Sequence, residues 1–118
     1  MESKELMERV VKTLDTHKAT DIKVLPVAEV TSLADYFVVA AGTSSTQVKA
    51  LADEVEFQLG EAGVEPRGTE GFRSASWIIL DYDDIIVHVF YRDAREEYQL
   101  ERLWADGEQV DISAWLID

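Results

Sequence analysis

The chain has 118 residues, and this length corresponds to one domain. Hydrophobic residues make up 47% of it, which is enough to build a core and excludes an intrinsically disordered chain. Acidic residues outnumber basic ones by 24 to 11, giving a net charge of -13. This charge argues against direct nucleic-acid binding and against an anionic membrane, and it favours a basic partner.

Cysteine is absent and histidine occurs only twice. These counts exclude disulfides, thiolate chemistry and cysteine-ligated zinc, and they argue against a histidine-rich metal centre. The N-terminus is acidic and has no apolar run, so it does not resemble a signal peptide. We therefore expect a cytoplasmic protein that needs no cofactor.

The N-terminal half predicts a helix, two strands and a second helix. The first helix runs from Ser3 to about Thr16, where apolar residues recur at helical spacing. Residues 21–27 predict a strand, and residues 36–41 predict a central strand because they are apolar on both faces. The turn at 42–45 (GTSS) then starts a second helix. The predicted cap of this helix is Ser44 paired with Gln47, and its predicted end is Gly60 or Gly63.

The C-terminal half predicts a short strand within residues 64–74, a hairpin and a last helix. The hairpin strands are residues 75–80 and 85–90, and pairing Leu80 with Ile85 would set Trp77 against His88. Asp93 can cap a helix that runs to Trp104. The expected order is α-β-β-α-β-β-β-α.

These elements predict a single α/β domain over residues 1–118, with 105–118 as a C-terminal tail. The domain should contain a mixed sheet of about five strands packed with α-helices. A Gly-Ser turn followed by carboxylates is typical of nucleotidyltransferases, and the expected fold is nucleotidyltransferase-like. The catalytic spacing is absent, because Asp81 follows Gly42 only after a helix and a loop.

Three features of the sequence suggest chemistry, and each has a simpler structural interpretation. Asp81 and Asp83 have a spacing that can bind Mg²⁺, but aspartate is also favoured in hairpin turns, which is the interpretation we prefer. The turn at 42–45 could bind phosphate through free N–H groups, but no lysine follows in P-loop spacing. His88 could act as a base, but no partner for a triad is placed by the sequence.

The sequence resembles the Iojap family, the ribosomal silencing factors called RsfS. The resemblance covers about residues 3 to 106, and the tail from Ala105 has no firm counterpart. The residues that carry it are 34–45 (ADYFVVAAGTSS), 47–50 (QVKA), 52–54 (ADE), 70–71 (EG), Trp77, 80–82 (LDY), 87–90 (VHVF), Arg95, Tyr98 and 100–104 (LERLW).

This resemblance implies a binding protein and not an enzyme. Family members bind large-subunit ribosomal protein number fourteen at the surface that the small subunit must meet, and they thereby block subunit joining and repress translation. The family fold is related to that of nucleotidyltransferases without their catalysis. The resemblance also implies a homodimer when the protein is free and a monomer when it is bound to the ribosome.

We predict the partner-binding surface on the mixed face of the hairpin and the outer side of the last helix. Aromatic and arginine side chains dominate the energies of protein interfaces, and the other hairpin face is fully apolar and should be core. Two alternatives remain: a metal-dependent nucleotidyl or phosphoryl transferase using Asp81 and Asp83, and a self-associating scaffold without a ribosomal target. The predicted surface comprises Trp77, Ile79, Asp81, Tyr82, His88, Arg95, Tyr98 and Glu101.

Overall fold

A computed structural model describes residues 3–28, 32, 34–73, 76–92 and 112–116. The predicted helix at residues 93–104 lies outside these described residues. The elements are α1 (Ser3–Thr16), β1 (Thr20–Pro26), β2 (Tyr36–Gly42), α2 (Ser45–Glu61), β3 (Gly68–Glu70), β4 (Trp77–Asp81), β5 (Ile85–Tyr91) and a short 3₁₀ turn (Ser113–Trp115).

The five strands form one mixed sheet in the order β1-β2-β5-β4-β3. Strands β2 and β5 are parallel, and the other neighbouring strands are antiparallel. Strand β2 lies inside the sheet, and Phe37 to Gly42 are all buried. The prediction of an inner strand that is apolar on both faces is therefore confirmed, as is the mixed five-stranded sheet.

Helices α1 and α2 pack on one face of the sheet and form the main core. Val10, Val11 and Leu14 of α1 are fully buried there. Burial of each side chain stabilises the fold by about 2 kcal/mol relative to leaving it exposed. The α2 residues at helical spacing in this core are Val48, Leu51, Ala52, Val55 and Leu59. The sheet contributes Val38, Ala40, Ile78, Leu80, Val87 and Val89.

A second apolar cluster lies on the opposite face of the sheet. It contains Leu25 and Val27 from β1 and its end, Phe37 and Val39 from β2, and Ile86 and Phe90 from β5. Trp77 and Ile79 of β4 pack against it while remaining half-buried. The hairpin thus presents one fully buried apolar face to the helices and one mixed face to this cluster, as the alternation of its residues predicts.

The register of the hairpin differs from the prediction by two residues. Leu80 pairs with Val87 and not with Ile85, and Trp77 pairs with Phe90 and not with His88. The cause is a tighter turn: the Tyr82 N–H donates to the Ile85 carbonyl, so only Asp83 and Asp84 form the loop. Because side chains alternate with a period of two, this shift leaves every residue on its predicted face.

Within the part of the chain that the structure describes, no helix is both long and apolar enough to cross a lipid bilayer.

Candidate partner-binding surface

Three of the predicted surface residues lie together on the sheet face that is opposite the helices. Ile79 and His88 are directly opposed across β4 and β5, and Trp77 lies diagonally from His88. Trp77 and Ile79 are half-buried, so part of each side chain reaches solvent. His88 is only 5% exposed and lies beneath them.

A hydrogen bond connects Trp77 to His88. The indole Nε1–H of Trp77 donates to His88 Nδ1 across 3.0 Å. Burial lowers the pKa of His88 to about 4, so the imidazole is neutral at pH 7. Among the described residues, His88 Nε2 has no hydrogen-bond partner. His88 is therefore a buried, neutral residue whose hydrogen bond connects it to the half-exposed side chain of Trp77.

Asp81 and Asp83 converge on one cation, the guanidinium of Arg67. Arg67 Nη1 lies 2.6 Å from Asp83 Oδ1, and Arg67 Nη2 lies 3.7 Å from Asp81 Oδ2. Asp81 Oδ1 also accepts a 2.9 Å hydrogen bond from the Asp83 backbone N–H. The motif thus closes its own turn, which is the role we preferred for it. Within the described residues, no group of three acidic or histidine side chains is arranged to hold a metal ion.

Sequence reasoning missed Arg67. No spacing relates Arg67 to the Asp-x-Asp motif, because the pairing of β3 with β4 brings them together. Gly68, the next residue, pairs with Asp81, and the Arg67 backbone N–H donates to the Asp81 carbonyl across 2.6 Å. The only available signal would have been the β3–β4 register itself.

Tyr82 lies on the other side of the sheet from Trp77. Its ring is buried in the main core, and its Oη has no hydrogen-bond partner among the described residues. Burial raises the pKa of Tyr82, and the carboxylates of Glu56 and Glu65 raise it further. Burial also raises the pKa of Glu56, with Asp53 and Glu65 adding to the rise. Tyr82 therefore lies apart from the other described residues of the predicted surface, because Asp81, at the end of β4, shares the face of Trp77 and Ile79.

Arg95, Tyr98 and Glu101, the other predicted surface residues, lie outside the described residues.

Side-chain hydrogen bonds hold the turn before α2. Ser44 Oγ accepts from the Gln47 N–H at 3.1 Å, and Gln47 Oε1 accepts from the Thr43 N–H at 2.6 Å. The Gln47 side chain therefore reaches one residue before the cap, to Thr43. Gly42 fits a close approach, because a Cβ there would lie 3.0 Å from Val48 Cγ2 and would require a small shift of that side chain. The cap explains this turn without a phosphate.

The two motifs of the transferase alternative lie at opposite ends of the sheet. In the parallel β2–β5 pair, Gly42 pairs with Tyr91 at one end of the strands. Tyr36 pairs with Ile85 at the other end, beside the Asp83 turn. The length of a strand, roughly 20 Å at 3.3 Å per residue, separates them. A phosphate at one motif would be out of reach of a metal ion at the other.

This architecture defines a single-domain α/β protein, in which the described residues form a five-stranded mixed sheet with two α-helices on one face. The same fold occurs in the crystal structure of a protein from Chromobacterium violaceum, with a TM-score of 0.86 and 38% identity. That alignment covers 96% of this chain and 93% of the other.

The sequence comparisons give the family. The family described as "Ribosomal silencing factor during starvation", RsfS, matches residues 1–117, including the C-terminal tail. Ribosomal silencing factor RsfS of Bacillus subtilis is 37% identical over 95% of each chain. RsfS of Haemophilus influenzae is 46% identical over 85% of this chain and 98% of its own length. The chain belongs to the RsfS family.

Proposed function

We propose that this protein silences ribosomes by binding the large subunit and preventing it from joining the small one. The observation that carries the proposal is the family match over residues 1–117, together with relatives named ribosomal silencing factors that align over nearly their whole length. The proposed contact on the large subunit is ribosomal protein number fourteen, as the sequence resemblance implies.

The charge of the chain supports a basic partner. A net charge of -13 on 118 residues creates a negative potential that attracts a basic ribosomal protein and slows approach to bare RNA. Asp81 places a partly exposed carboxylate at the hairpin end, where its side chain is 30% exposed. It lies on the mixed face, four residues along β4 from Trp77, so charge and apolar area share one surface.

The proposed mechanism is steric. A specific protein interface buries about 800 Å² on each partner, which a domain of this size can provide. Occupying one patch of the joining surface then excludes the small subunit without any change in the ribosome. The degree of silencing follows from affinity and from the concentration of the factor relative to that of the large subunit.

Two features complete the proposal. The free protein forms a homodimer, which light scattering during size-exclusion chromatography would measure. It acts in the cytoplasm as a protein without catalytic activity or cofactor.

Sedimentation with separated ribosomal subunits tests the function directly. We expect the protein to migrate with the large subunit alone and to reduce formation of joined ribosomes in proportion to its concentration. Migration with neither subunit would contradict the proposal and favour the scaffold alternative. A requirement for a bound metal ion or nucleotide in the protein itself would favour the transferase alternative.

Variants of two aromatic residues test the proposed surface. Trp77→Ala should weaken binding to the large subunit by about 2 kcal/mol or more, close to thirtyfold, if Trp77 is a hot spot. Phe57→Ala is the matched control, because Phe57 is 58% exposed on α2, across the sheet from Trp77. Equal affinities of the two folded variants would contradict this location of the surface.

A further inference from the structure

The side chains of Trp77 and His88 form a unit in which one residue is half-exposed and the other is buried. Trp77 starts β4 and lies diagonally across from His88 in the middle of β5. The indole Nε1 and the imidazole Nδ1 are 3.0 Å apart. His88 is 5% exposed, so this bond is formed below the surface.

The direction of this hydrogen bond follows from the chemistry of the two rings. An indole N–H is a donor only, so His88 Nδ1 must be the acceptor and must carry no proton. The neutral imidazole then carries its proton on Nε2. Trp77 has one N–H, and this group is used inside the protein.

Aromatic neighbours hold the imidazole in place. The rings of His88 and Phe37 have centroids 4.5 Å apart, and those of His88 and Phe90 are 6.3 Å apart and nearly parallel. Trp77 itself stacks on Phe90 with centroids 5.1 Å apart and planes 22° apart. Turning the indole would break both this stack and the hydrogen bond, and it would leave a second unpartnered nitrogen on a buried His88.

We propose that His88 is a positioning residue for partner binding: through Nδ1 it fixes the orientation of the Trp77 indole, so that a preorganised apolar ring surface meets the partner. The inference rests on the proposed function, in which Trp77 contacts the large ribosomal subunit. It assigns His88 no direct contact with the partner. The Trp77 side chain loses its conformational entropy when the protein folds, so this cost does not weaken binding.

This role also defines the kind of contact that Trp77 makes. With its N–H donated inward, the indole offers the partner a ring face or edge and no hydrogen bond. The matching group on the partner is therefore apolar, or a cation that packs on the ring.

Two substitutions at His88 distinguish the effect of losing the hydrogen-bond acceptor from the effect of losing the ring. His88→Asn keeps an oxygen that can replace Nδ1 as the acceptor, whereas His88→Leu is of similar size and has none. We expect His88→Leu to weaken binding to the isolated large ribosomal subunit by about three- to tenfold, the effect of ordering one large side chain. His88→Asn should stay within about threefold of the wild type.

Three further measurements distinguish positioning from general stability. Ile78→Val removes a methylene group from the opposite face of β4 and should destabilise the protein without changing binding. In a Trp77→Phe background, where no indole N–H exists, His88→Leu should have no additional effect on binding. The ¹⁵N–¹H signal of the Trp77 indole in the free protein, assigned with Trp77→Phe, should move in His88→Leu.

The outcomes separate this inference from the function on which it depends. If Trp77→Ala weakens binding but folded His88→Leu binds like the wild type, the positioning role is wrong and the proposed function stands. An equal loss on His88→Leu in both backgrounds would also overturn it. If the wild-type protein does not bind the large subunit, the proposed function fails, and the positioning role fails with it.

Discussion

The guanidinium of Arg67 lies 2.6 Å from the carboxylate of Asp83, at the tip of the β4–β5 hairpin. Both side chains are 68% exposed. Exposed ion pairs contribute little, typically less than about 1 kcal/mol, because water screens them and both side chains lose entropy. The contact therefore orients the turn more than it stabilises the fold.

The backbone of Asp83, rather than its charge, should determine the effect of mutations there. Asp83 has a φ of 73°, in the left-handed region. Asp83→Ala should destabilise the protein by about 1 kcal/mol, and Asp83→Gly should cost less although it removes the same carboxylate. Urea denaturation of both variants measures the difference. The reverse order would show that the left-handed backbone at Asp83 does not determine the effect, and subunit-joining inhibition should be unchanged in both.

Three glycines provide a graded test of backbone requirements. At Gly71, φ is +90° and a Cβ would lie 1.9 Å from the Trp77 carbonyl oxygen, so Gly71→Ala should cost more than about 3 kcal/mol. Gly63→Ala should cost about 1 kcal/mol, because φ is +81° but the space is open. Gly68→Ala should stay within about 0.5 kcal/mol, since the site is open and has no positive φ. Equal denaturation midpoints for Gly71→Ala and Gly68→Ala would contradict this ranking.

Acid should destabilise the fold through His88. The pKa of His88 is about 4 in the folded protein and about 6.5 in the unfolded chain, so between these values the unfolded state binds more protons. The contribution of neutral His88 to the free energy of unfolding is therefore fully present above pH 6.5. It falls as the pH is lowered towards 4, with a loss of about 2 kcal/mol between pH 7 and pH 5. The difference in unfolding free energy between the wild type and His88→Leu isolates this contribution, because the variant retains every carboxylate. A difference that is constant from pH 7 to pH 5 would show that His88 is not buried in its neutral form.

Association with the large subunit should depend on salt. The Debye length falls from about 30 Å at 0.01 M to about 8 Å at 0.15 M, so a steered on-rate should fall steeply over this range. Asp81→Asn should lower the on-rate more than Glu61→Gln, which removes the same charge from the C-terminal end of α2. Stopped-flow kinetics would measure both. An on-rate that does not change with salt would mean that the acidic excess serves solubility.

The sequence predicts the faces of the hairpin better than its register. Ile78 and Leu80 alternate with Trp77 and Ile79, so the hairpin must have one apolar and one mixed face. A shift of the pairing by two residues changes the partners of each residue but not the face on which its side chain lies. The register depends on Asp83, whose left-handed backbone allows a loop of two residues where four were predicted. Three of the four predicted loop residues are aspartates, so the sequence does not indicate which of them takes that conformation.

The candidate surface was predicted only in part for a similar reason. Alternation correctly places Trp77, Ile79 and His88 together, because all three lie in regular strands. The prediction that Tyr82 belongs to this surface overlooked the same alternation, which places it with Ile78 and Leu80, and its ring lies with them in the main core. The contact of Arg67 with the turn depends on the pairing of β3 with β4, which is a long-range relationship without a local pattern.

The parallel pairing of β2 with β5 has a consequence for how the chain folds. It joins residues 36–42 to residues 85–91, and β5 lies between β2 and β4 in the sheet. The two halves of the sheet therefore cannot join until residue 91 has been synthesised. Loop closure over such a distance slows folding, so docking of the β4–β5 hairpin onto β2 should be the step that limits the folding rate. Until β5 has been synthesised, the β5-facing edges of β2 and β4 have no partner, so a nascent chain stopped before β5 should be prone to aggregate.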